Sequence, residues 1–364
     1  MTVRIGFALE QALGHVAYGM SIKRALAHRT DVECEWLEIP YELGAFKWLS
    51  KAGSNWTIRG SARAQRAIAR AHARKPLDAL FIHTQTISLF AGAQMRKIPT
   101  MLSLDATPLN YDELADSYGA VVHPPLVERV KLEAHRAVMR NASHFTVWSQ
   151  WAKRSLVKDY LVDPTAVTIL HPGTTLSNFP DPEARAPRKP GPLRLLFVGG
   201  DFERKGGDLL LDVFKRHLSQ SCELHLVTAA ELPASAGVHV YHGVKPHSPQ
   251  LLQLYADADV FVLPTRGDCL AVVLGEAMAS CLPIITTRVG AHAEAVEDGA
   301  SGYVLDVNDA EGLRDRIETL ARDPERAARM GHRSRKIGEE RFDMQKNANR
   351  IADLLVAMAS KARA

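Results

Sequence analysis

Between residues 180 and 192 the chain reads Pro-Asp-Pro-Glu-Ala-Arg-Ala-Pro-Arg-Lys-Pro-Gly-Pro. Such a stretch can enter neither a helix interior nor a central strand, because proline lacks the amide that both require. On either side of it, short β-branched runs alternate with longer segments of helical period. Before it, Val3–Leu9, Asp78–Ile82, Thr100–Leu104, Phe145–Trp148 and Val167–Leu170 read as strands, and Val16–Ala27 and Glu128–Arg140 as helices. After it come strands Leu193–Val198, Glu223–Val227, Val238–Tyr241, Val260–Leu263 and Pro283–Thr286, with helices Leu209–Leu218, Pro249–Ala256 and Ala310–Arg322. This rhythm, played twice, predicts an α/β protein with two parallel sheets covered by helices.

A length of 364 residues also exceeds what one ordinary core organises. The expected division is a first Rossmann-like domain over 1–179, a linker over 180–192 and a second such domain over 193–341. A final helix within 342–364, near Met344–Lys361, follows. In such sheets a ligand is expected at the carboxyl ends of the strands, in the cleft between the two domains.

Composition narrows the class. The chain is 46% hydrophobic and 24% charged, in the globular range, and its net charge of +4 argues against nucleic acid as a partner. Cys34, Cys222, Cys269 and Cys281 form no Cys-x-x-Cys pair and no zinc-ligand spacing, as expected of reduced thiols, and the histidines show no metal spacing either. The opening run Val3–Leu9 is too short for the core of a signal peptide. No stretch reaches the roughly 18 apolar residues that span a bilayer. The expectation is therefore a cytoplasmic protein that meets a membrane, if at all, at the surface of its inner face.

Two segments carry chemistry. In the first, Phe197-Val198-Gly199-Gly200 ends a strand in glycines, and Arg204-Lys205 then precede a helix. Small residues let backbone approach a phosphate, and two cations neutralise a diphosphate. In the second, strand Val260–Leu263 runs into Pro264-Thr265-Arg266-Gly267-Asp268-Cys269-Leu270-Ala271, and a helix follows from Val272 through Ala279. The free amides opening a helix favour an anion. Asp268 in the loop and Glu276 one turn into the helix offer two carboxylates, a group suited to vicinal sugar hydroxyls because it accepts two hydrogen bonds at once.

These segments resemble the family-4 retaining glycosyltransferases of GT-B fold. Pro264-Thr265-Arg266-Gly267-Asp268 through Glu276-Ala277-Met278-Ala279, with Leu282-Pro283-Ile284-Ile285 after it, is similar to their Glu-x7-Glu signature. Val198-Gly199 with Lys205-Gly206 resembles their phosphate loop, Tyr255–Pro264 the run entering the signature, and Glu294–Gly302 the segment after it. The resemblance implies two Rossmann-like domains facing each other across a cleft, a final helix over 342–364 that crosses back to the first domain, and a UDP- or GDP-linked sugar as co-substrate, with no cofactor and no metal. The acceptor would be a glycan, a lipid-linked molecule or a small molecule. Glu276 would bind the donor ribose, and Lys205 with Arg204 the diphosphate. Asp268 would meet the donor-sugar hydroxyls with the amides of Cys269, Leu270 and Ala271, at the helix start marked by Val272. Gly14 and Gly200 would let backbone approach the donor, and Gly243-Val244 would hold the base.

Departures from the family pattern are specific. The first carboxylate is Asp268, one methylene short of glutamate; Gly200 stands where an arginine is common; Asp105-Ala106-Thr107-Pro108 replaces a His-Asp pair; and Pro172-Gly173-Thr174-Thr175 replaces Asn-Gly-x-Asp. With the usual cleft histidine missing, His15 and Asp105 are the candidates to orient the acceptor hydroxyl. Two rivals stay open: a nucleotide-sugar epimerase of the same fold, and a non-catalytic nucleotide-binding relative.

Plainer roles suit other residues. Asp257 and Asp259 imitate a metal-binding Asp-x-Asp but read as turn or capping groups, and His83, His123 and His171 read as structural. Arg59, Arg63, Arg66, Arg70 and Arg74 recur at helical spacing after Phe46, Trp48 and Trp56. That face is either simply solvated or a contact for an anionic membrane surface.

Overall fold

Eight of the nine residues of the first strand, β1 (Val3–Gln11), are buried. Such a strand needs neighbours on both edges and helices on both faces. The computed structural model supplies them. It describes residues 2–12, 14–41, 56–114, 117, 124–179 and 191–363. Most of the expected linker, together with Phe46, Trp48 and His123, lies outside the described residues.

The first sheet adds β2 (Val32–Pro40), β3 (Ala79–His83), β4 (Thr100–Leu104), β5 (His144–Val147) and β6 (Val167–Ile169), in the order β2-β1-β3-β4-β5-β6. Its strands pair in parallel, with Phe7 opposite Trp36 on one side and Phe81 on the other. The second sheet contains β7 (Leu193–Val198), β8 (Cys222–Val227), β9 (Val238–Tyr241), β10 (Val260–Leu263), β11 (Ile284–Thr287) and β12 (Gly302–Leu305). Its order is β12-β11-β10-β7-β8-β9, again all parallel.

Strand order locates the ligand crevices. In the first sheet the chain builds β2 on one side of β1 and β3 on the other, so it reverses direction between β1 and β3. In the second, β8 and β9 extend one way from β7, and β10 then returns to its other side. Each reversal leaves neighbouring strands whose following loops diverge, which opens a crevice at their carboxyl ends.

The chain forms two compact units. One comprises Met1–Glu113, Val121–His171 and Met344–Ala364; the other comprises Leu114–Ala120 and Pro172–Asp343. The boundary at His171/Pro172 precedes the expected one because Thr174 is tied to the second unit: its amide donates to the Phe342 carbonyl at 2.8 Å. The last helix, Met344–Arg363, buries Met344, Ala348, Ile351, Ala352, Leu355 and Ala359 at helical spacing. It packs on the first unit, where Gln345 Nε2 donates to the Ala25 carbonyl at 2.8 Å and Arg29 pairs with Asp353 at 2.9 Å. Burying Ile351 and Leu355 contributes about 1.5–3 kcal/mol each.

Helix Trp56–Arg74 shows why its arginines fall on one face. It buries Gly60, Ser61, Ala64, Ile68 and Ala71 and turns the opposite side outward. Arg63 donates to the Pro40 carbonyl and Arg74 pairs with Glu35, while Arg66 and Arg70 are exposed. No helix among the described residues is long and apolar enough to cross a membrane.

Candidate active site

In the second unit, the loops after β7 and β10 flank the point where strand order reverses. The first begins at Gly199-Gly200 and ends at Gly206, whose φ of +76° begins helix Gly207–Val213. A Cβ on Gly206 would stand 2.0 Å from the Pro264 carbonyl oxygen, so only glycine lets the two loops touch. Across that contact, Arg266 donates its amide to the Arg204 carbonyl at 2.8 Å and clamps Asp208 with two guanidinium nitrogens at 2.6 and 2.9 Å. Arg204 returns the bond, its Nη1 donating to the Gly267 carbonyl at 2.6 Å while its Nε binds Asp201 at 2.9 Å.

This lacing brings Lys205 and Asp268 into an ion pair although 63 residues separate them. Both are largely shielded, Asp268 to 9% exposure. Burial alone would raise the Asp268 carboxyl. The Lys205 ammonium, through charge and hydrogen bond, and to a smaller extent Arg204 oppose it and hold the group below the ordinary aspartate value. A half-buried cation beside a buried carboxylate at a loop–helix junction can take phosphate oxygens with one member and sugar hydroxyls with the other.

Helix Val272–Ala279 is apolar around its circumference and buried from Leu274 onward. Glu276 is its one carboxylate, 5% exposed, and accepts a hydrogen bond from the Tyr255 hydroxyl at 2.8 Å. Burial pushes the Glu276 carboxyl up to about 7, the tyrosine bond opposing it. Burial, reinforced by the glutamate, drives the Tyr255 hydroxyl well above its ordinary range.

One expectation needs correction. The Ala271 amide is already used, since it donates to His292 Nε2 at 3.2 Å. An amide can only donate, so Nε2 accepts, and Nδ1–H must donate to Thr286 Oγ1 at 2.8 Å, which in turn donates to the Leu263 carbonyl at 3.0 Å. His292 is thus fixed as one neutral tautomer, and burial lowers it to about 4. Its role is to fasten the loop after β10 to β11. Cys269 is held too, its carbonyl accepting from the Ala291 amide at 2.8 Å. Leu270 continues the same buried loop, and half-buried Val272 opens the helix. Gly200 is exposed, with open space where a Cβ would stand. Val244 is half-buried beyond β9, after a turn at Gly243 with φ of +67°.

The first unit gathers its own cluster where β1, β3 and β4 end. Gly14 occupies the N-cap of helix His15–Leu26, placing His15 directly after β1. His83 is the last residue of β3, and Asp105 follows β4. His15 Nδ1 lies 3.0 Å from His83 Nε2, His83 Nδ1 lies 3.0 Å from Ser103 Oγ, and His15 Nε2 lies 3.8 Å from Asp105 Oδ2. The Tyr111 hydroxyl donates to that same Asp105 oxygen at 2.6 Å, and the Ala106 amide to its other oxygen at 2.9 Å. Tyr18 and Trp148 pack their rings on His83, at 4.5 and 5.4 Å between centroids. Burial, aided by His15, keeps the His83 imidazole well below its ordinary pKa, hence neutral. His83, read from sequence as structural, therefore directly supports the candidate residue His15. Asp257 accepts from Gln253 Nε2 within its own helix, and Asp259 accepts from the Arg194 amide of β7, both at 2.9 Å.

Sequence reasoning missed Tyr255 as the Glu276 partner, His292 as the loop anchor and His83 as the His15 partner. All three bonds join separate elements, so no local spacing announces them.

Residues 192–323 match the family Glycosyl transferases group 1. A D-inositol 3-phosphate glycosyltransferase of Thermobispora bispora is 29% identical over 226 residues, covering 55% of this chain and 53% of that protein. A GDP-mannose-dependent alpha-(1-6)-phosphatidylinositol monomannoside mannosyltransferase of Mycolicibacterium smegmatis is 30% identical over 219 residues, 52% of this chain and 56% of that one. The matched region thus spans about half the length of these curated relatives. Among solved structures, a sucrose-phosphate synthase from Thermosynechococcus elongatus superposes with a TM-score of 0.76 at 17% identity, covering 99% of this chain and 100% of that one. The Anabaena protein HepE in complex with UDP and glucose gives 0.70 at 16%, covering 97% and 99%. Residues 192–323 thus resemble the glycosyl transferases group 1, and the two parallel sheets of the chain make the two-domain α/β fold of the GT-B glycosyltransferases.

Proposed function

We propose that the protein is a retaining glycosyltransferase that moves a sugar from a nucleoside diphosphate sugar to an acceptor hydroxyl. The observation that carries this reading is the part-buried Lys205–Asp268 pair at the opening of the helix bearing buried Glu276, inside the segment that matches the family. Lys205, with Arg204, holds the diphosphate; Glu276 grips the ribose hydroxyls; Asp268 takes hydroxyls of the donor sugar, aided by the amides of Cys269 and Leu270. Gly14 and Gly200 allow close backbone approach, and Gly243-Val244 hold the base. The GDP-mannose dependence of one relative and the UDP bound to one structural neighbour favour this donor class.

In the proposed step the bond from the sugar's anomeric carbon to the diphosphate breaks while the acceptor oxygen bonds to that carbon on the same face. The acceptor's proton passes to the departing phosphate oxygen. Negative charge grows on that leaving group, so a fixed ammonium and fixed amides stabilise the transition state more than the ground state. His15 and Asp105 orient the acceptor hydroxyl.

The test is to incubate the full chain with UDP- and GDP-sugars, with and without candidate acceptors, and follow donor consumption. Transfer, or slow donor hydrolysis, is expected. Asp105→Asn should lower turnover by about 10²-fold while leaving nucleotide affinity within about twofold. Unchanged turnover in that variant would remove Asp105 from the mechanism. Epimerised donor without acceptor would favour the isomerase reading, and nucleotide binding with no consumption of any donor would leave a binding protein.

A further inference from the structure

On the second sheet, away from the loops just described, Glu223 and His225 of β8 and His239 of β9 present ligand atoms that all lie within 4.8 Å of one another. The register explains this. His225 and His239 are direct partners across the parallel pair, and Glu223 precedes His225 by two residues, hence shares its face. The two imidazoles stack with centroids 4.8 Å apart. His225 Nε2 lies 3.7 Å from Glu223 Oε2, close to the roughly 3.3 Å between ligand atoms around a tetrahedral ion with bonds of about 2.0–2.1 Å.

A second, independent observation points to a ligand. His225 Nε2 is shielded from solvent and has no hydrogen-bond partner, an unusual state for a buried polar atom. Its other nitrogen, Nδ1, lies 3.0 Å from the Tyr241 hydroxyl. With Nδ1–H donating there, the lone pair of Nε2 is left for a metal, the arrangement by which an outer partner orients a ligating histidine. A cavity of about 180 Å³, lined by His225, Tyr241, Arg194, Leu254, Asp257 and Ala258, adjoins the ring and leaves room for water on an open coordination position. Among the described residues, the cation that competes is Arg194, whose Nε stands 3.5 Å from Glu223 Oε2 and whose side chain is 41% exposed. A contact that long and that solvated yields readily to an ion.

We infer that Glu223, His225 and His239 form a transition-metal site, with zinc the fitting ion. Two imidazoles and one carboxylate suit zinc, whereas magnesium and calcium require oxygen ligands. The linear sequence hides the site because its members come from two strands joined by a ten-residue excursion over 228–237. An ion here ties the edge strand β9, whose end leads to Gly243-Val244, to β8. The inference stands apart from the transferase reading, since none of its residues is used there.

The test is calorimetric titration of the full, untagged, chelator-treated chain with zinc chloride and, separately, magnesium chloride, alongside thermal unfolding. One zinc per chain and a Tm that climbs with zinc concentration are expected, with no response to magnesium. His239→Ala removes an exposed ligand with little risk to folding and should weaken zinc binding by at least about tenfold. Arg194→Ala, which frees Glu223, should tighten it. Absence of zinc binding up to millimolar concentration overturns the site. So does an affinity that neither His239→Ala nor His225→Ala changes, because the ion would then sit elsewhere.

Discussion

Glu276 carries opposed demands. Its position one turn into an apolar helix excludes water, and its one hydrogen-bond donor among the described residues is Tyr255. The unfolded chain ionises such a group near 4.5, whereas burial delays ionisation in the folded state until about 7. Between those values the folded protein holds the extra proton, so stability falls as pH rises through the window. At 1.36 kcal/mol per unit, the loss reaches about 3 kcal/mol by pH 8. Glu276→Gln removes the titration. The variant should match the parent near pH 4.5 and exceed it at pH 8, measured as urea midpoints on the ligand-free protein. A stability difference that does not change between those pH values would contradict this account of Glu276. Under the proposed function, vicinal hydroxyls of a bound ribose would donate to the buried carboxylate and offset that loss.

At the scale of elements, the site depends on loops that touch through glycine. Gly290, with φ of +52°, brings the turn after β11 against the loop after β10. A Cβ there would stand 2.2 Å from the Asp268 carbonyl oxygen and 2.5 Å from that of Cys269. Neither neighbour is a side chain that could swing away. Gly290→Ala should therefore destabilise the protein by about 1–3 kcal/mol and weaken nucleotide binding, as read by denaturant midpoints and calorimetry. Gly200→Ala is the control, because open space surrounds that position. Its stability should stay within about 0.5 kcal/mol of the parent. Equal losses at the two glycines would count against a role for close loop packing.

Elements of the same kind show where sequence is legible. Thr100–Leu104, Leu193–Val198, Val238–Tyr241, Val260–Leu263 and helix Ala310–Arg322 fall on the expected residues, since each pairs a clear period with a clear stop. β2, Val-Glu-Cys-Glu-Trp-Leu-Glu-Ile-Pro, passes unread because an edge strand half open to solvent interleaves charges that blur the strand pattern. Helix Pro324–Arg341 is silent for another reason. It packs through small residues, with Gly331 against the Cys281 carbonyl and Gly338 against Met278, so close backbone approach replaces the apolar stripe that marks most helices. Of the candidate site, the loop–helix motif with Asp268, Glu276 and Lys205 was legible because its chemistry is local. The Lys205–Asp268 pair, the Tyr255–Glu276 bond and the His292 anchor were not, because only the folded sheet brings their partners together.

For the whole molecule, both units place polar clusters where strand order reverses: Lys205 and Asp268 beside β7 and β10, His15 and His83 beside β1 and β3. One topological rule, applied to two sheets of different strand order, selects Lys205, Asp268 and His15, which sequence chemistry had singled out, and adds His83, which it read as structural. The proposed function requires the second unit to bind a nucleoside diphosphate through Lys205 and Glu276. Thermal unfolding of the full chain against a panel of nucleosides, nucleoside diphosphates and their sugars tests it most directly. Stabilisation should grow as RT ln(1 + [L]/Kd), reaching about 2.7 kcal/mol at a hundredfold excess over Kd. The account predicts a rising Tm with at least one diphosphate and its sugar, little response to the bare nucleoside, and loss of the rise in Lys205→Met. A panel in which no nucleoside diphosphate moves the Tm, or in which Lys205→Met responds as the parent does, would contradict it.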